Sequence, residues 1–309
     1  MATLGIDSSN YRSSAAFLND DSKYISKRKL LPVKNGERGL RQSDAVFAHT
    51  KQLPTIIKDL LLEIDVNSIE GIGVSDRPRR LEESYMPCFL TGLGLAEVLS
   101  ASLKVPVFKF SHQEGHIASA LLSANRLDLL KMPFIAFHVS GGTTEVLLVS
   151  PADIGFKTEI IGKTLDLHLG QVIDRIGVKL GLDFPCGEEL EKLALKGQIS
   201  LKIKPCIKGL DCALSGAENL AEKMILSGEP KENIAAFASD FAAKTLCEMT
   251  IKIKEKFGNL PIVFSGGVMA NNHIKSELLK ISDANFASIE LSGDNAVGIA
   301  LLTKLCLEK

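Results

Sequence analysis

The chain has 309 residues, of which 45% are hydrophobic and 24% are charged, and its formal net charge is −1. This composition is typical of a soluble globular protein, and the length exceeds that of one ordinary single-core domain and predicts two lobes. The near-neutral charge excludes a global attraction to nucleic acids or anionic membranes, so any nucleic-acid contact depends on a local patch or a partner protein.

Cysteine usage and hydropathy indicate the compartment. The six cysteines are scattered without a CxxC pair, which fits a reducing cytosol and argues against a disulfide framework or a structural zinc site. The N-terminus lacks the basic and apolar regions of a signal peptide, and no apolar run approaches the roughly 18 residues of a membrane span. We expect a cytoplasmic protein that does not contact membranes.

The first part of the chain predicts a β-meander followed by alternating helices and strands. The apolar patterns predict strands at 3–7, 15–18, 23–29, 71–75 and 105–110, and helices at 44–64 and 87–101. We assign residues 1–110 to a first lobe.

The second part repeats the opening pattern of an apolar strand, a small polar turn and a second apolar strand. Here the strands are predicted at 134–139, 145–149 and 261–264, and the helices at 168–180, 188–195, 215–226, 234–257, from 271 and at 295–307. We assign residues 111–294 to a second lobe, with the C-terminal helix 295–309 packing back on the first. Because no low-complexity linker separates the lobes, we expect one cleft-bearing unit.

Two histidines lie where a predicted strand passes into a helix. His112 and His116 are four residues apart, so on a helix both imidazoles point the same way and can reach one cation. Strand ends are also where open α/β sheets bind ligands. A pair alone is explained equally well by surface or capping histidines.

Two further residues would complete a metal site. Asp294 precedes the final helix, where it is either an N-cap or an oxygen ligand. His138, on an apolar strand, is either a hydrogen-bonded core residue or a third imidazole. Three nitrogens and one carboxylate oxygen would suit zinc or ferrous iron.

Two Ser-Gly-Gly turns suggest a nucleotide. Ser140-Gly141-Gly142-Thr143 and Ser265-Gly266-Gly267 expose backbone N–H groups that can cradle a phosphate, although plain tight turns have the same sequence. Asp174 and Glu191 lie on predicted helices and are natural partners of ribose hydroxyls, unless they are simply solvated. The arginines of the loop 76–80 would meet phosphates or solvent. No nucleophile elbow, Walker loop or HExxH motif is present.

The ordered set of these motifs resembles the tRNA threonylcarbamoyladenosine transferases, a family with the actin/hexokinase-like fold. The resemblance covers most of the chain from about residue 105. The motifs that carry it are His112-x-x-x-His116, Val139-Ser140-Gly141-Gly142, Asp174 followed by Lys179-Leu180-Gly181-Leu182, Pro185-x-Gly187-x-x-x-Glu191, Leu214-Ser215-Gly216, Gly266-Gly267-Val268-x-Ala270-Asn271 and Asp294-Asn295.

The resemblance implies an α/β fold of two duplicated lobes with a nucleotide cleft between them, and it implies roles for individual residues. His112, His116 and Asp294 would hold one divalent metal ion, iron or zinc, and His138 takes the place of a tyrosine ligand of archaeal members. The residues implied to bind an adenine nucleotide (ATP, AMP or an acyl-adenylate) are Ser140, Gly141, Gly142, Thr143, Asp174, Gly187, Glu191 and Asn271.

The implied reaction transfers a threonylcarbamoyl group from threonylcarbamoyl-adenylate to the exocyclic amine of the adenosine next to the anticodon of tRNA. It needs no protein nucleophile, only a metal ion and an aligning cleft. The implied partners are tRNA, proteins of the same pathway and, as one option, a non-catalytic paralogue in a heterodimer.

The first lobe departs from the family pattern. Asp7, our candidate catalytic residue, begins the stretch that replaces the family's Glu-Thr-Ser-Cys-Asp-Glu-Thr segment, and the acidic pair of that segment is Tyr11-Arg12 here. The family's Gly-Pro-Gly loop is Arg77-Pro78-Arg79, and Thr143 replaces a histidine. Two alternatives therefore stay open: a metal-dependent carbamoyl- or acyl-adenylate transferase with a non-tRNA acceptor, and a nucleotide-binding scaffold.

Overall fold

The computed structural model describes residues 1–9, 11–32, 40–81, 83–198, 203–292 and 295–309. The strands are β1 (Ala2–Ser9), β2 (Arg12–Leu18), β3 (Tyr24–Leu30), β4 (Ile69–Arg77), β5 (Val107–Ser111), β6 (Phe134–Val139), β7 (Thr144–Pro151), β8 (Phe156–Lys163), β9 (Cys206–Lys208), β10 (Asp211–Ala213), β11 (Ile262–Ser265) and β12 (Ala284–Phe286). The helices are α1 (Gln42–Leu61), α2 (Phe89–Leu103), α3 (His112–Ser123), α4 (Leu169–Lys179), α5 (Gly187–Ala194), α6 (Ser215–Leu226), α7 (Lys231–Phe257), α8 (Asn272–Leu279), α9 (Ile289–Ser292) and α10 (Asn295–Leu307).

The chain divides into two compact units. Unit 1 comprises Met1–Leu130, Pro151–Lys157 and Glu290–Lys309, and unit 2 comprises Lys131–Ser150 and Thr158–Ile289. The predicted boundary after residue 110 therefore moves to Leu130, because α3 packs on α10, β4 and β5 within unit 1. The C-terminal helix also belongs to unit 1, as expected.

The two units repeat one sheet topology. The strand order is β3-β2-β1-β4-β5 in unit 1 and β12-β11-β6-β7-β8 in unit 2, so in each the first strand lies between its hairpin partner and a later parallel strand. The internal repeat predicted from the sequence is thus confirmed. Some strands were missed, because they are short or largely polar: β8, β9, β10 and β12.

The sheet of unit 1 has helices on both faces. Leu4 and Ile6 point into a core shared with α1, whereas glycines on the opposite face let α10 approach the strands closely. A Cβ at Gly5 would lie 2.0 Å from the carbonyl oxygen of Ala296, and one at Gly73 would lie 2.0 Å from Thr303 Oγ1. The absence of these side chains brings the start of α10 against the end of β1.

Unit 2 is built around the long helix α7. More than half of the residues of α7 are buried, and the helix contacts α4, α5, α6 and α8. The core joins its apolar side chains to Ile135 and Phe137 of β6 and Phe264 of β11, and the rings of Phe137 and Phe264 stack at 4.4 Å. Among the described helices, none is long and apolar enough to cross a membrane.

Asp166 joins two parts of unit 2 and predicts a pH dependence of stability. Its carboxylate accepts hydrogen bonds from the backbone N–H groups of Leu214 and Ser215 and from the Ser215 hydroxyl. Partial burial opposes ionisation of Asp166, but these donors outweigh it and lower its pKa to about 2. Because the folded-state pKa is below the ordinary value of 3.8, the stabilisation is present above about pH 4 and is lost as the pH falls toward 2.

We therefore expect Asp166→Asn to be less stable than the wild type at pH 7, with a difference that shrinks below pH 4. Urea unfolding at several pH values measures this effect. Asp21→Asn, at an exposed carboxylate in unit 1, is the control and should unfold at the same urea concentration as the wild type at pH 7. A constant difference between Asp166→Asn and wild type from pH 7 to pH 2 would contradict the assignment.

Candidate functional site

Successive side chains of β1 point to opposite faces of the sheet, and this alternation directs Asp7 toward α10. Thr3 and Gly5 face that helix, since the Thr3 hydroxyl donates to the carbonyl of Ala300 at 2.8 Å and Gly5 contacts Ala296. Asp7 has the same parity, so its side chain points to the same face, and it is only 1% exposed. On β4, Ser75 lies on the same face of the strand as Gly71 and Gly73. Its hydroxyl donates a hydrogen bond to Asp7 Oδ1.

A close crossing of two helices brings the histidines to Asp7. The backbones of α3 and α10 touch at Gly115 and Gly298, where a Cβ on Gly298 would lie 1.9 Å from the carbonyl oxygen of Gly115. Helix α3 begins directly at His112, because Ser111 and Glu114 form a capping box. The first turn of α3 therefore faces the start of α10 and the end of β1.

His112 is held by two side chains. Its Nδ1 lies 2.8 Å from Asp7 Oδ1, and Asn295 Nδ2 lies 2.9 Å from Nδ1 and 3.1 Å from Nε2. Because Asp7 is an acceptor, Nδ1 is the donor of this pair. Nε2 is therefore the nitrogen through which a neutral His112 ring would bind a metal ion.

The electrostatics favour an ionised Asp7. Burial alone would raise the pKa of Asp7, but the attraction and hydrogen bond of His112, with hydrogen bonds from Ser75 and Asn295, lower it overall. A buried carboxylate with these partners is suited to orienting His112 rather than to touching a substrate. The predicted catalytic role of Asp7 stays a prediction.

The two histidine rings lie beside each other, as their spacing predicts, and their role as metal ligands stays a prediction. The ring centroids of His112 and His116 are 4.6 Å apart, and the buried Asn295 Oδ1 has no hydrogen-bond partner. Two neighbouring imidazoles would supply two of the ligands that a divalent cation needs. Within the described residues, however, no three His, Cys, Asp or Glu side chains converge closely enough to hold a metal ion.

Of the two remaining predicted ligands, His138 is described by the structure and Asp294 is not. Asp294 lies outside the described residues, although its neighbour Asn295 contacts His112. His138 lies on β6 in unit 2 opposite Ser265 of β11, and its Nδ1 is 3.2 Å from the Ser265 hydroxyl. Its role as a fourth ligand stays a prediction.

The arginine loop is engaged by carboxylates. Arg77 forms two hydrogen bonds with Asp76, and Arg80 pairs with the buried Glu114 of α3. These two guanidinium groups are therefore committed to intramolecular partners.

The Ser-Gly-Gly turn of unit 2 is closed by its own serine. Ser140 Oγ accepts from the N–H groups of Gly142 at 3.2 Å and Thr143 at 3.0 Å. Both glycines are exposed with open space around the positions of an added Cβ. A phosphate at this turn would compete with Ser140 for these N–H groups.

The predicted nucleotide residues Asp174, Gly187, Glu191 and Asn271 organise the starts of two helices. Asp174 accepts from the Cys186 N–H at 2.9 Å, next to Gly187 at the start of α5, and burial raises the Asp174 pKa. Glu191 Oε1 accepts from the Asn272 N–H at 2.7 Å, and Asn271 caps α8. Glu191 also lines a cavity of about 230 Å³ with Leu195, Ser239 and His273, among others.

Sequence reasoning missed three residues of the unit 1 site. Ser75 contacts Asp7, and Asn295 contacts His112. Glu114 accepts from Ser111 at the start of α3. The Ser-x-x-Glu spacing of the capping box could have identified Glu114. Ser75 and Asn295 needed the sheet register and the helix crossing.

The topology and this site define an α/β protein of the actin/hexokinase-like class. ROK hexokinase from Thermus thermophilus is similar with a TM-score of 0.53 and 14% identity, covering 100% of this chain and 99% of that one. Component A of (R)-2-hydroxyglutaryl-CoA dehydratase from Acidaminococcus fermentans has a TM-score of 0.57 and 16% identity over 100% of both chains. These likenesses establish the fold.

Residues 32–301 match the family described as tRNA N6-adenosine threonylcarbamoyltransferase, and the chain belongs to this family of acyltransferases. The Thermosipho melanesiensis member is 31% identical over 97% of this chain and 93% of its own length, and the Methanopyrus kandleri member is 26% identical over 97% and 86%. A protein of Methanocaldococcus jannaschii named as a probable bifunctional tRNA threonylcarbamoyladenosine biosynthesis protein is 26% identical over 98% of this chain and 55% of its own length.

Proposed function

We propose that the chain transfers a threonylcarbamoyl group from threonylcarbamoyl-adenylate to the exocyclic amine of the adenosine next to the anticodon in tRNA. The observation that carries this proposal is the cluster of Asp7, His112 and His116 in a member of this family. The amine nitrogen forms a bond to the carbamoyl carbon, the bond from that carbon to the phosphate oxygen breaks, and AMP leaves as the amine loses a proton.

The chain contributes orientation to this reaction. Asp7 fixes His112 with its Nε2 lone pair directed away from the carboxylate, and His116 lies beside it. His112, His116 and Asp294 would hold one iron or zinc ion, with His138 as a candidate fourth ligand. The ion would polarise the carbonyl or neutralise the phosphate. Asp7 is buried and hydrogen-bonded, so we assign it no proton transfer with the substrate.

Unit 2 would bind the adenine nucleotide. We place the ribose at Asp174 and Glu191 beside Gly187 and Asn271, and the phosphates near Ser140, Gly141, Gly142 and Thr143. The carboxylates of Asp174 and Glu191 supply acceptors for ribose hydroxyls. The cavity beside Glu191 provides a partly apolar space next to them.

Glu191→Gln is expected to weaken AMP binding about tenfold, because a hydrogen bond to a charged acceptor contributes ~1.5 kcal/mol or more. Glutamine keeps the acceptor for the Asn272 N–H, so the start of α8 should persist. Isothermal titration calorimetry with AMP measures the affinity. Glu188→Gln is the control, since Glu188 lies on the same helix, is exposed and pairs with Lys192. Equal AMP affinities of Glu191→Gln and wild type would contradict the placement.

Partner proteins form part of the proposal. The bifunctional relative extends well beyond the region that this chain matches. In addition, α2 exposes Leu90 and Val98 by more than half on a helix with one charged residue, Glu97. Exposed apolar residues of this kind favour a protein contact, and we propose a companion of the same pathway, with a non-catalytic paralogue as one option. Size-exclusion chromatography of the purified chain mixed with the purified companion tests this contact. Separate elution of the two proteins at micromolar concentration would refute it.

A second candidate has an observation of its own. Where the family has an acidic pair, this chain has the exposed Tyr11 and the half-buried Arg12. A changed first-lobe turn favours a related acyl-adenylate transferase whose acceptor is not tRNA. The ordered Asp7–His112 pair argues against a mere scaffold.

Nucleoside mass spectrometry distinguishes these candidates in cells depleted of their own family member and supplied with this gene. The proposal predicts that threonylcarbamoyladenosine returns to the tRNA. Its continued absence, with the protein expressed and folded, would favour the other acceptor.

A further inference from the structure

Glu114 lies between the two histidines, yet the proposed reaction assigns it no role. Its side chain is only 1% exposed. A buried carboxylate loses its hydration, so it persists as an ion only where donors replace the water. The donors around Glu114 come from three separate parts of unit 1.

The two oxygens of Glu114 divide these donors between them. Oε2 accepts from the N–H and the hydroxyl of Ser111, both at 2.7 Å, and from Arg80 Nε at 3.2 Å. Oε1 accepts from the Phe156 N–H at 2.9 Å and lies 3.1 Å from Arg80 Nη2. Arg80 thus meets the carboxylate with two nitrogens, which is the strong, geometrically specific form of this ion pair.

The surrounding backbone is shaped to this carboxylate. Gly155 adopts a φ of +69°, and a Cβ there would lie 2.0 Å from Glu114 Oε1. On the other side, the Gln113 N–H donates to the carbonyl of Pro78 at 3.0 Å, which holds the arginine loop against the same turn of α3. The first turn of α3 is therefore fixed on two sides at Glu114.

These contacts exclude one role and indicate another. Five donors leave the carboxylate no geometry in which to take a proton from a substrate. However, Glu114 lies on the same turn as His112 and within two residues of His116, so a rotation of this turn would move both imidazoles. Ligand orientation of this kind tunes metal affinity, because partners of the ligating residues typically contribute a factor of about 10 to 100.

We propose that Glu114 is a positioning residue for the metal site, which it sets by locking the first turn of α3 to Arg80 and to the backbone of residue 156. This inference rests on the metal site of the proposed function. Arg80 of the loop 77–80 thereby gains a function inside the protein, because its guanidinium group holds the Glu114 carboxylate in place.

Glu114→Gln tests the proposal, with Co²⁺ as the probe. Glutamine has the same shape but turns one oxygen into an NH₂ group, which then faces an N–H donor of Ser111 or Phe156. We expect Co²⁺ to bind about tenfold more weakly and its visible absorption spectrum to change, while the circular dichroism stays that of a folded chain. Glu97→Gln is the matched control, because Glu97 forms an exposed pair with Lys109 at 3.1 Å.

Each outcome decides a specific point. If Glu114→Gln binds Co²⁺ with wild-type affinity and spectrum, the positioning role is overturned while the metal site stands. If the wild type itself binds no Co²⁺, the metal site of the proposed function fails, and this role fails with it. If Glu114→Gln does not fold, Arg80→Gln decides, since Arg80 is partly exposed: weaker Co²⁺ binding supports the role, and unchanged binding overturns it.

Discussion

Gly298→Ala is expected to lower the free energy of unfolding by about 3 kcal/mol and to abolish metal binding, because overpacking at a rigid contact forces the backbone to shift. The added Cβ would lie 1.9 Å from the carbonyl oxygen of Gly115 and 2.7 Å from the Ser119 N–H. Since both are atoms of the α3 backbone, no side-chain rotation relieves the clash. Helix α10 must move away from α3, and Asn295 moves with it from His112.

Gly94→Ala provides the control for this effect. Gly94 also lies inside a helix, α2, but a Cβ there would meet nothing within 4 Å. Alanine should stabilise this helix by up to ~1 kcal/mol through its higher helix propensity. Thermal unfolding and Co²⁺ titration of both variants measure the contrast. Equal stability of Gly298→Ala and wild type would show that the helices do not cross as closely as described.

Asp7→Asn is expected to keep the fold but to weaken Co²⁺ binding about 10- to 100-fold, since the carboxylate that orients His112 is lost. Asparagine has the same volume and can still accept from the Ser75 hydroxyl, so the chain should fold, although loss of the buried pair with His112 lowers its unfolding temperature. The threonylcarbamoyl transfer rate should fall by at least as much as the metal occupancy.

Asp128→Asn is the control for Asp7→Asn, because Asp128 forms an exposed pair with Arg126 at 2.8 Å. It should match the wild type in Co²⁺ affinity and in transfer rate. Wild-type Co²⁺ affinity in Asp7→Asn would show that Asp7 does not orient a metal ligand, and the role of the pair with His112 would have to be abandoned.

Short-range sequence patterns predicted individual residues of the site better than the contacts between them. The spacing of His112 and His116 fixed their common direction, because it depends only on the helical repeat. Asp7 is 105 residues from His112, and Asn295 is 183 residues from it, so their contacts depend on the parity of β1 and on the crossing of α3 with α10. Neither can be read from local periodicity.

Other differences have similarly local causes. The turn at Gly142 was expected to present free N–H groups, but the side chain of Ser140 accepts them, as serine commonly does in turns. The lobe boundary was set by the strand before α3, whereas the packing of α3 on α10 determines it. In both cases a competing contact outweighed the simple pattern.

The most direct test is transfer of an isotope-labelled threonylcarbamoyl group by the purified chain. The chain is incubated with labelled threonylcarbamoyl-adenylate, tRNA and an extract from cells depleted of their own family member, which supplies partner proteins. The account predicts labelled threonylcarbamoyladenosine in tRNA and one AMP released for each group transferred, beyond the level of extract alone. Release of AMP without labelled tRNA, or no transfer above the extract, would contradict it.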